Sequence, residues 1–158
     1  MKLLIIVIAL LLSNICMAKS MWIETNYADA EYTALLEAVD IKESGFESPV
    51  FGFKPYYVEA KILDVYFGDI KENEFIDLLV YITPPFDWSL SRIKDKFILS
   101  FCRSNSGVFY THRNYLIVDA EPDNIKTFKF VRQNGTDHEG SNDCSFTNYE
   151  DLNPDLHN

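Results

Sequence analysis

The sequence predicts a mainly β protein with one N-terminal helix, folded as a small barrel. From Pro55 onwards, short segments in which apolar and polar residues alternate follow one another, and this is the pattern of half-buried strands. Turns rich in Gly, Asn, Ser and Pro separate these segments. The chain also has 12 Phe, 9 Tyr and 2 Trp, enough large apolar side chains to build a core. A disordered chain is therefore excluded for most of the sequence.

Residues 1–18 have the pattern of a secretory signal peptide. Lys2 precedes ten consecutive apolar residues, 3–12, and the small residues Cys16 and Ala18 occupy the −3 and −1 positions of the expected cleavage site. Ten residues are too few to cross a bilayer, which takes roughly 20. We therefore expect cleavage near Ala18, no transmembrane segment, and a secreted or periplasmic mature protein. Lipid attachment at Cys16 is the alternative, although the bulky Ile15 precedes that cysteine.

The segment 29–43 carries the helical signal. Its apolar residues recur at three- and four-residue spacing, as on one face of an α-helix: Tyr32, Leu35, Leu36 and Val39. Gly45 follows, as is common after the end of a helix. The sequence therefore predicts an N-terminal helix 29–43.

The β region contains six candidate strands: 56–67, 75–82, 97–102, 108–111, 115–118 and 127–131. In the first of them the alternation changes phase near Leu63 and Asp64, which predicts a bulge. The second is apolar on both faces except at Asp77, which is typical of a central strand. A turn of helix is expected over 87–94.

One helix and several short strands favour a small OB-like β-barrel, with an antiparallel meander sheet backed by the helix as the alternative. Residues 19–132 are predicted to form this single domain. Residues 133–158 contain few large apolar side chains, which indicates a polar, poorly ordered C-terminal tail.

The predicted mature chain has two cysteines, Cys102 and Cys144. An even number of cysteines outside the reducing cytosol favours a disulfide between them. Such a bridge would tie the tail to the third β segment. Two buried thiols that never meet are the alternative, and no nucleophile motif surrounds Cys102.

Chemical motifs are sparse, and the sequence predicts no catalytic, cofactor-binding or metal-binding residues. The acidic run 119–124 begins like a calcium loop, but it has Asn124 where that loop needs Gly, so an exposed turn between two strands is favoured. His112 has no evident partner, and His138 lies among acids in the tail. Hydrolase and nucleotide-binding motifs are missing. A net charge of −10 argues against nucleic acid as a partner.

Residues 56–119 resemble the netrin-like or tissue-inhibitor-of-metalloprotease-like OB domains. The resemblance rests on Ala60, Val65 and Gly68 in the first strand, on the long apolar strand 75–82, and on 95–101. The resemblance implies an OB-like fold for these residues. The inhibitors begin with Cys-x-Cys, whereas the expected mature start here is Lys19-Ser-Met-Trp, so their mechanism is not implied. The layout is also similar to that of small exported bacterial proteins of unknown role.

Two functions remain open at this point. The first is an exported non-enzymatic binding module that recognises an unknown protein or cell-envelope ligand, because exposed aromatic residues on strands are common anchors for such ligands. The aromatic residues on or beside strands are Tyr56, Tyr57, Tyr66, Tyr81, Phe109 and Tyr110. The alternative is a small secreted hydrolase whose acidic catalytic residues the spacing does not locate.

Overall fold

The computed structural model describes residues 30–45, 52, 54–82, 86–93, 95–111, 117–134 and 144. In chain order, the elements are β1 (Tyr32–Glu43), β2 (Lys54–Phe67), β3 (Phe75–Ile82), α1 (Phe86–Ile93), β4 (Lys96–Arg103), β5 (Phe109–Tyr110), β6 (Val118–Asp119) and α2 (Pro122–Asn134). The predicted mainly β class is confirmed.

Five strands close into a barrel. β2 pairs with β1 on one side and with β3 on the other, both antiparallel. β3 then pairs with β5 in parallel, β5 with β4, and β4 returns to β1, so the circle is β1-β2-β3-β5-β4-β1. The predicted small barrel is therefore confirmed, and the alternative meander sheet is wrong because β4 pairs back with β1. β6 pairs with β4 outside this circle.

The predicted N-terminal helix 29–43 is wrong, because this segment is the strand β1. Ala34 and Leu36 are fully buried in the barrel interior, which is strand periodicity. Leu35 points to the opposite side and is buried there against other residues. Because both sides of this half of β1 are covered, apolar residues occur consecutively and imitate the spacing of a helix face.

β2 and its bulge are confirmed. The register joins Leu35 to Asp64 and Leu36 to Ile62, so Leu63 has no partner opposite it. Before the bulge, Val58, Ala60 and Ile62 point inward, and after it Val65 does. The bulge bends β2 and lets one long strand line two parts of the barrel wall.

The interior is filled by apolar side chains from every barrel strand and from α1. Its fully buried members include Leu36, Val58, Ile62, Leu78, Ile93, Phe97 and Phe101. Residues 75–82 form a strand between β2 and β5, as predicted for a central strand, and it is buried from Leu78 to Ile82, whereas Phe75 and Asp77 are exposed. Within it, Val80 lies in the interior, whereas Leu79 lies on the outer side in a separate cluster. The predicted short helix between the second and third β segments is confirmed as α1.

The predicted strand 127–131 is wrong, because it lies within α2. Pro122 occupies the first helical position, where proline is favoured, and the N–H of Ile125 donates to the carbonyl of Glu121 at 3.0 Å. Phe128 and Val131, three residues apart, are buried against the outside of the barrel. The acidic run 119–124 consequently leads into a helix instead of joining two strands.

Asp64 and Tyr66 of β2 hold α2 in place. The Nζ of Lys129 lies 2.9 Å from Oδ2 of Asp64, and Nη1 of Arg132 lies 3.6 Å from Oδ1. The ring of Phe128 stacks on that of Tyr66 with centroids 5.4 Å apart. The C-terminal helix therefore covers the side of the barrel on which Leu35 lies.

Gly68 ends β2 with φ at 93°, in the left-handed region. A Cβ at this position would lie 2.7 Å from the carbonyl oxygen of Glu31 and against the ring of Tyr32. We expect Gly68→Ala to lower the free energy of unfolding by about 1–3 kcal/mol, because the backbone strain and the clash add. Gly45→Ala is the matched control, since nothing lies within 4 Å of its Cβ position. Urea unfolding of the native chain and of the two variants measures the loss of stability. An equal loss in Gly45→Ala would contradict the explanation.

Several predictions fall outside the described residues. They include the signal peptide 1–18, His112, and most of the tail 133–158. The acidic residues around His138 belong to the same tail.

Candidate functional site

The outer side of β1, β2 and β3 forms an open surface, which we call the sheet face. It consists of Val39, Asp40, Lys42, Tyr57, Glu59, Lys61, Phe75 and Asp77. These residues point outward because their strand neighbours Val58, Ala60 and Ile76 belong to the interior cluster.

The strand register arranges the sheet face in rows. In one row, Asp40 lies opposite Glu59, and Glu59 lies opposite Asp77. In the adjoining row, Lys61 is the cross-strand partner of Phe75. Rows of this kind place side chains from three strands within reach of one ligand.

Phe75 and Val39 are the apolar part of the sheet face. Phe75 is 60% exposed and Val39 is 54% exposed, although most large apolar residues of the described chain are buried or half-buried. Val39 is exposed because the register shifts between Ala38 and Asp40, so that it bulges outward. An exposed aromatic ring among charged residues is a feature of protein-binding surfaces.

The charges of the sheet face centre on one lysine. The Nζ of Lys42 lies 2.6 Å from Oδ2 of Asp40, and Oδ1 of the same carboxylate accepts the N–H of Ile41 at 2.9 Å. The hydrogen bond from Lys42 lowers the pKa of Asp40 below its usual value. The pKa of Lys42 is raised, first by that hydrogen bond and further by the charges of Asp40, Glu59 and Asp77. Lys42 thus offsets the repulsion between carboxylates that face one another across the strands.

Of the six aromatic residues singled out in the sequence, only Tyr57 lies on the sheet face, half-buried. Tyr56 and Phe109 face the interior, and Tyr66 lies under α2. Tyr81 and Tyr110 lie on the outer side but are covered. Phe75 was not among the six, yet its two-residue spacing from the polar Asp77 was an available signal that it points outward.

The predicted Cys102–Cys144 disulfide is confirmed, and it joins the end of β4 to a residue beyond α2. The Oη of Tyr110 donates a hydrogen bond to the carbonyl oxygen of Cys144 at 3.0 Å. Beneath Cys144 lie Leu79, Tyr81, Cys102 and Tyr110, which we call the covered patch. Tyr57 packs against this patch from the sheet face.

Among the described residues there is no group of three or more His, Cys, Asp or Glu side chains placed to hold a metal ion. Asp119, at the start of the acidic run, accepts a hydrogen bond from Nε of Arg92 at 2.9 Å. No helix among the described segments has the length and apolar character required to cross a membrane.

Comparison of the chain with protein-family models and with curated proteins gives no match. The resemblance to netrin-like or tissue-inhibitor-of-metalloprotease-like domains therefore stays a prediction from sequence.

Proposed function

We propose that this protein is an exported, non-enzymatic binding module, and that it recognises a protein through the sheet face. The observation that carries the proposal is the 60% exposed ring of Phe75 on an open sheet surface. The disulfide supports export, and so does the signal-peptide pattern of residues 1–18.

The closed barrel restricts where a ligand can bind. Its interior is filled by side chains, including the fully buried Leu36, Leu78 and Phe101. Small barrels of this kind use the outer face of their second and third strands for binding. The corresponding residues here, on β2 and β3, are Glu59, Lys61, Phe75 and Asp77.

A protein fits the composition of the sheet face better than a cell-envelope polymer does. Phe75 and Val39 are apolar anchors, and lysines and acids of both signs surround them. Protein interfaces commonly have an aromatic centre within a polar rim. Recognition of sugars uses aromatic rings as well, so an envelope polymer is the second outcome that the experiment must distinguish.

The described residues give little support to the alternative function, a small secreted hydrolase. The shallow groove of about 500 Å³ along α2 is lined by Pro122, Ile125, Lys126, Lys129, Phe130 and Gln133, without a carboxylate. Glu59 and Asp77 stand opposite each other on an open sheet, where water is not excluded.

Phe75→Ser is expected to weaken binding to the partner about thirtyfold or more, because truncating a central aromatic anchor costs about 2 kcal/mol or more of binding free energy. Phe130→Ser is the matched control, since Phe130 is 61% exposed but lies on α2. The full chain and both variants are immobilised and exposed to the extracytoplasmic fraction of the producing cells. Retained proteins are then quantified by mass spectrometry, and retained sugars by composition analysis.

The proposal requires specific proteins that the native chain and Phe130→Ser retain and that Phe75→Ser loses. Equal retention by all three would show that the sheet face is not the binding site. Retention of polysaccharide alone, lost in Phe75→Ser, would assign the face to an envelope polymer instead.

A further inference from the structure

The second half of β1 has a strand on one side only. β4 pairs with β1 from Tyr32 to Glu37, and the next bond on that side joins the N–H of Ala38 to the carbonyl of Asp95 at 3.0 Å. Beyond it, in residues 39–43, the described chain places β2 on one side of β1 and no strand on the other. We call residues 39–43 the open edge. A sheet edge of this kind is a template for pairing with another chain.

The hydrogen bonds of β1 determine which backbone groups face outward at the open edge. The N–H of Ser44 donates to the carbonyl of Pro55 in β2 at 3.0 Å. Residues that bond to a neighbouring antiparallel strand alternate along the chain, so Ile41 and Glu43 direct their N–H and C=O groups away from β2. The N–H of Ile41 donates to Oδ1 of Asp40 at 2.9 Å. The carbonyl of Ile41 and both backbone groups of Glu43 are left available for another strand.

The charges of the open edge are self-complementary about Ile41. Asp40 precedes it and Lys42 follows it, and their side chains are 45% and 75% exposed on the sheet face. If two copies pair antiparallel with Ile41 opposite the partner's Ile41, Asp40 lies opposite the partner's Lys42. By the same symmetry, Lys42 lies opposite the partner's Asp40. Opposite charges in directly opposed positions stabilise a pair of strands, and a two-fold interface requires this kind of self-complementarity.

We propose that the open edge is a dimer interface, in which β1 pairs antiparallel with β1 of a second copy about a two-fold axis at Ile41. At the axis, the N–H of each Ile41 donates to the carbonyl of the other. The carboxylate of Asp40 exchanges the N–H of Ile41 for the ammonium group of the partner's Lys42. On the opposite side of the strand, the half-buried Ile41 side chain packs against the partner's Ile41.

The structure limits the paired segment to the five residues 39–43 in each copy. At one end, the N–H of Ala38 is already bonded to Asp95. At the other end, Ser44 turns its N–H back to β2. Five residues are an ordinary strand length. Because the two-fold axis runs through the sheet, the sheet faces of both copies lie on the same side of the dimer.

Sedimentation equilibrium of the native chain, Asp40→Lys, Lys42→Asp and the double variant Asp40→Lys/Lys42→Asp tests the pairing. We expect the native chain to form a dimer as its concentration rises to the millimolar range. Each single variant should associate about tenfold more weakly, because it places like charges opposite each other at two positions. The double variant should associate like the native chain, because opposite charges face each other again. An equimolar mixture of the two single variants should form a heterodimer for the same reason.

Lys71→Asp is the matched control for the change in charge. Lys71 lies in the turn between β2 and β3, its side chain is 81% exposed, and it is outside the open edge. We expect this variant to associate like the native chain. Phe75→Ser should also do so, because Phe75 lies on β3, and the dimer is therefore tested independently of the proposed function. Circular dichroism spectra that match the native spectrum verify that each variant is folded.

Hydrogen exchange locates the contact. The N–H of Glu43 gains an acceptor only in the dimer, so its exchange should slow several-fold at concentrations at which the dimer forms. The N–H of Lys42 faces β2 in both states, and its exchange should stay the same. Unchanged exchange at Glu43 in a dimeric sample would overturn the proposal. A native chain that stays monomeric at millimolar concentration would overturn it as well, and so would single variants that associate like the native chain or a double variant that does not regain association.

Discussion

Replacing Phe128 by alanine is expected to lower the free energy of unfolding by about 3–5 kcal/mol, because the change leaves a large cavity. Phe128 is 2% exposed and stacks on Tyr66 beneath α2. Phe130→Ala is the matched control, and we expect it to change stability by less than about 0.5 kcal/mol because an exposed side chain leaves no cavity. Chemical unfolding of the two variants and the native chain measures both values.

This pair also tests whether residues 127–131 are helical. In a strand, Phe128 and Phe130 would lie on the same face, and their truncation would have similar costs. In α2 they lie on different sides, one 2% and the other 61% exposed. Similar losses for the two variants would contradict the helix.

Leu79→Ala is expected to cost about 2–4 kcal/mol and Val80→Ala somewhat less, because both side chains are buried and each truncation leaves a cavity. Val80 is 1% exposed in the barrel interior, and Leu79 is fully buried in the covered patch. Glu59→Ala, on the exposed sheet face, is expected to change stability by less than about 0.5 kcal/mol. Thermal and urea unfolding of the three variants checks these values.

Leu79 and Val80 are buried against different neighbours, so a second comparison uses the same two alanine variants in the Cys144→Ser background. In the Cys144→Ser background, Leu79→Ala should cost less than in the native chain, because Cys144 packs against the cluster that contains Leu79 and the change removes its bridge to Cys102. The cost of Val80→Ala should stay the same, since its neighbours are inside the barrel. A neutral Leu79→Ala in the native chain would contradict the burial of the patch.

The candidate site was only partly predictable. Strand alternation correctly placed Glu59 and Lys61 on the outside of β2, and it correctly placed Val58 and Ile62 inside. The exposure of Val39 depends on a register shift in β1, a segment whose pairing partners lie far along the chain. Tyr81 and Tyr110 were candidate binding residues, but they are buried in a cluster against which the disulfide-linked Cys144 packs.

The sequence by itself predicted the elements that have a clear local pattern. Alternation predicted β2, and its change of phase predicted the bulge. An apolar run interrupted only at Asp77 predicted the central strand β3, and the even number of cysteines favoured the Cys102–Cys144 bridge.

Only the tertiary structure decided β1 and α2, which sequence reasoning assigned the other way round. Leu35 and Leu36 suit one face of a helix as well as two opposite faces of a covered strand, and pairing of β1 with both β2 and β4 selects the strand. The alternation of Phe128, Phe130 and their neighbours suits a strand, but the barrel is already closed by other strands when α2 begins. With no free place in the circle, this segment buries Phe128 and Val131 most completely as a helix lying on the barrel wall.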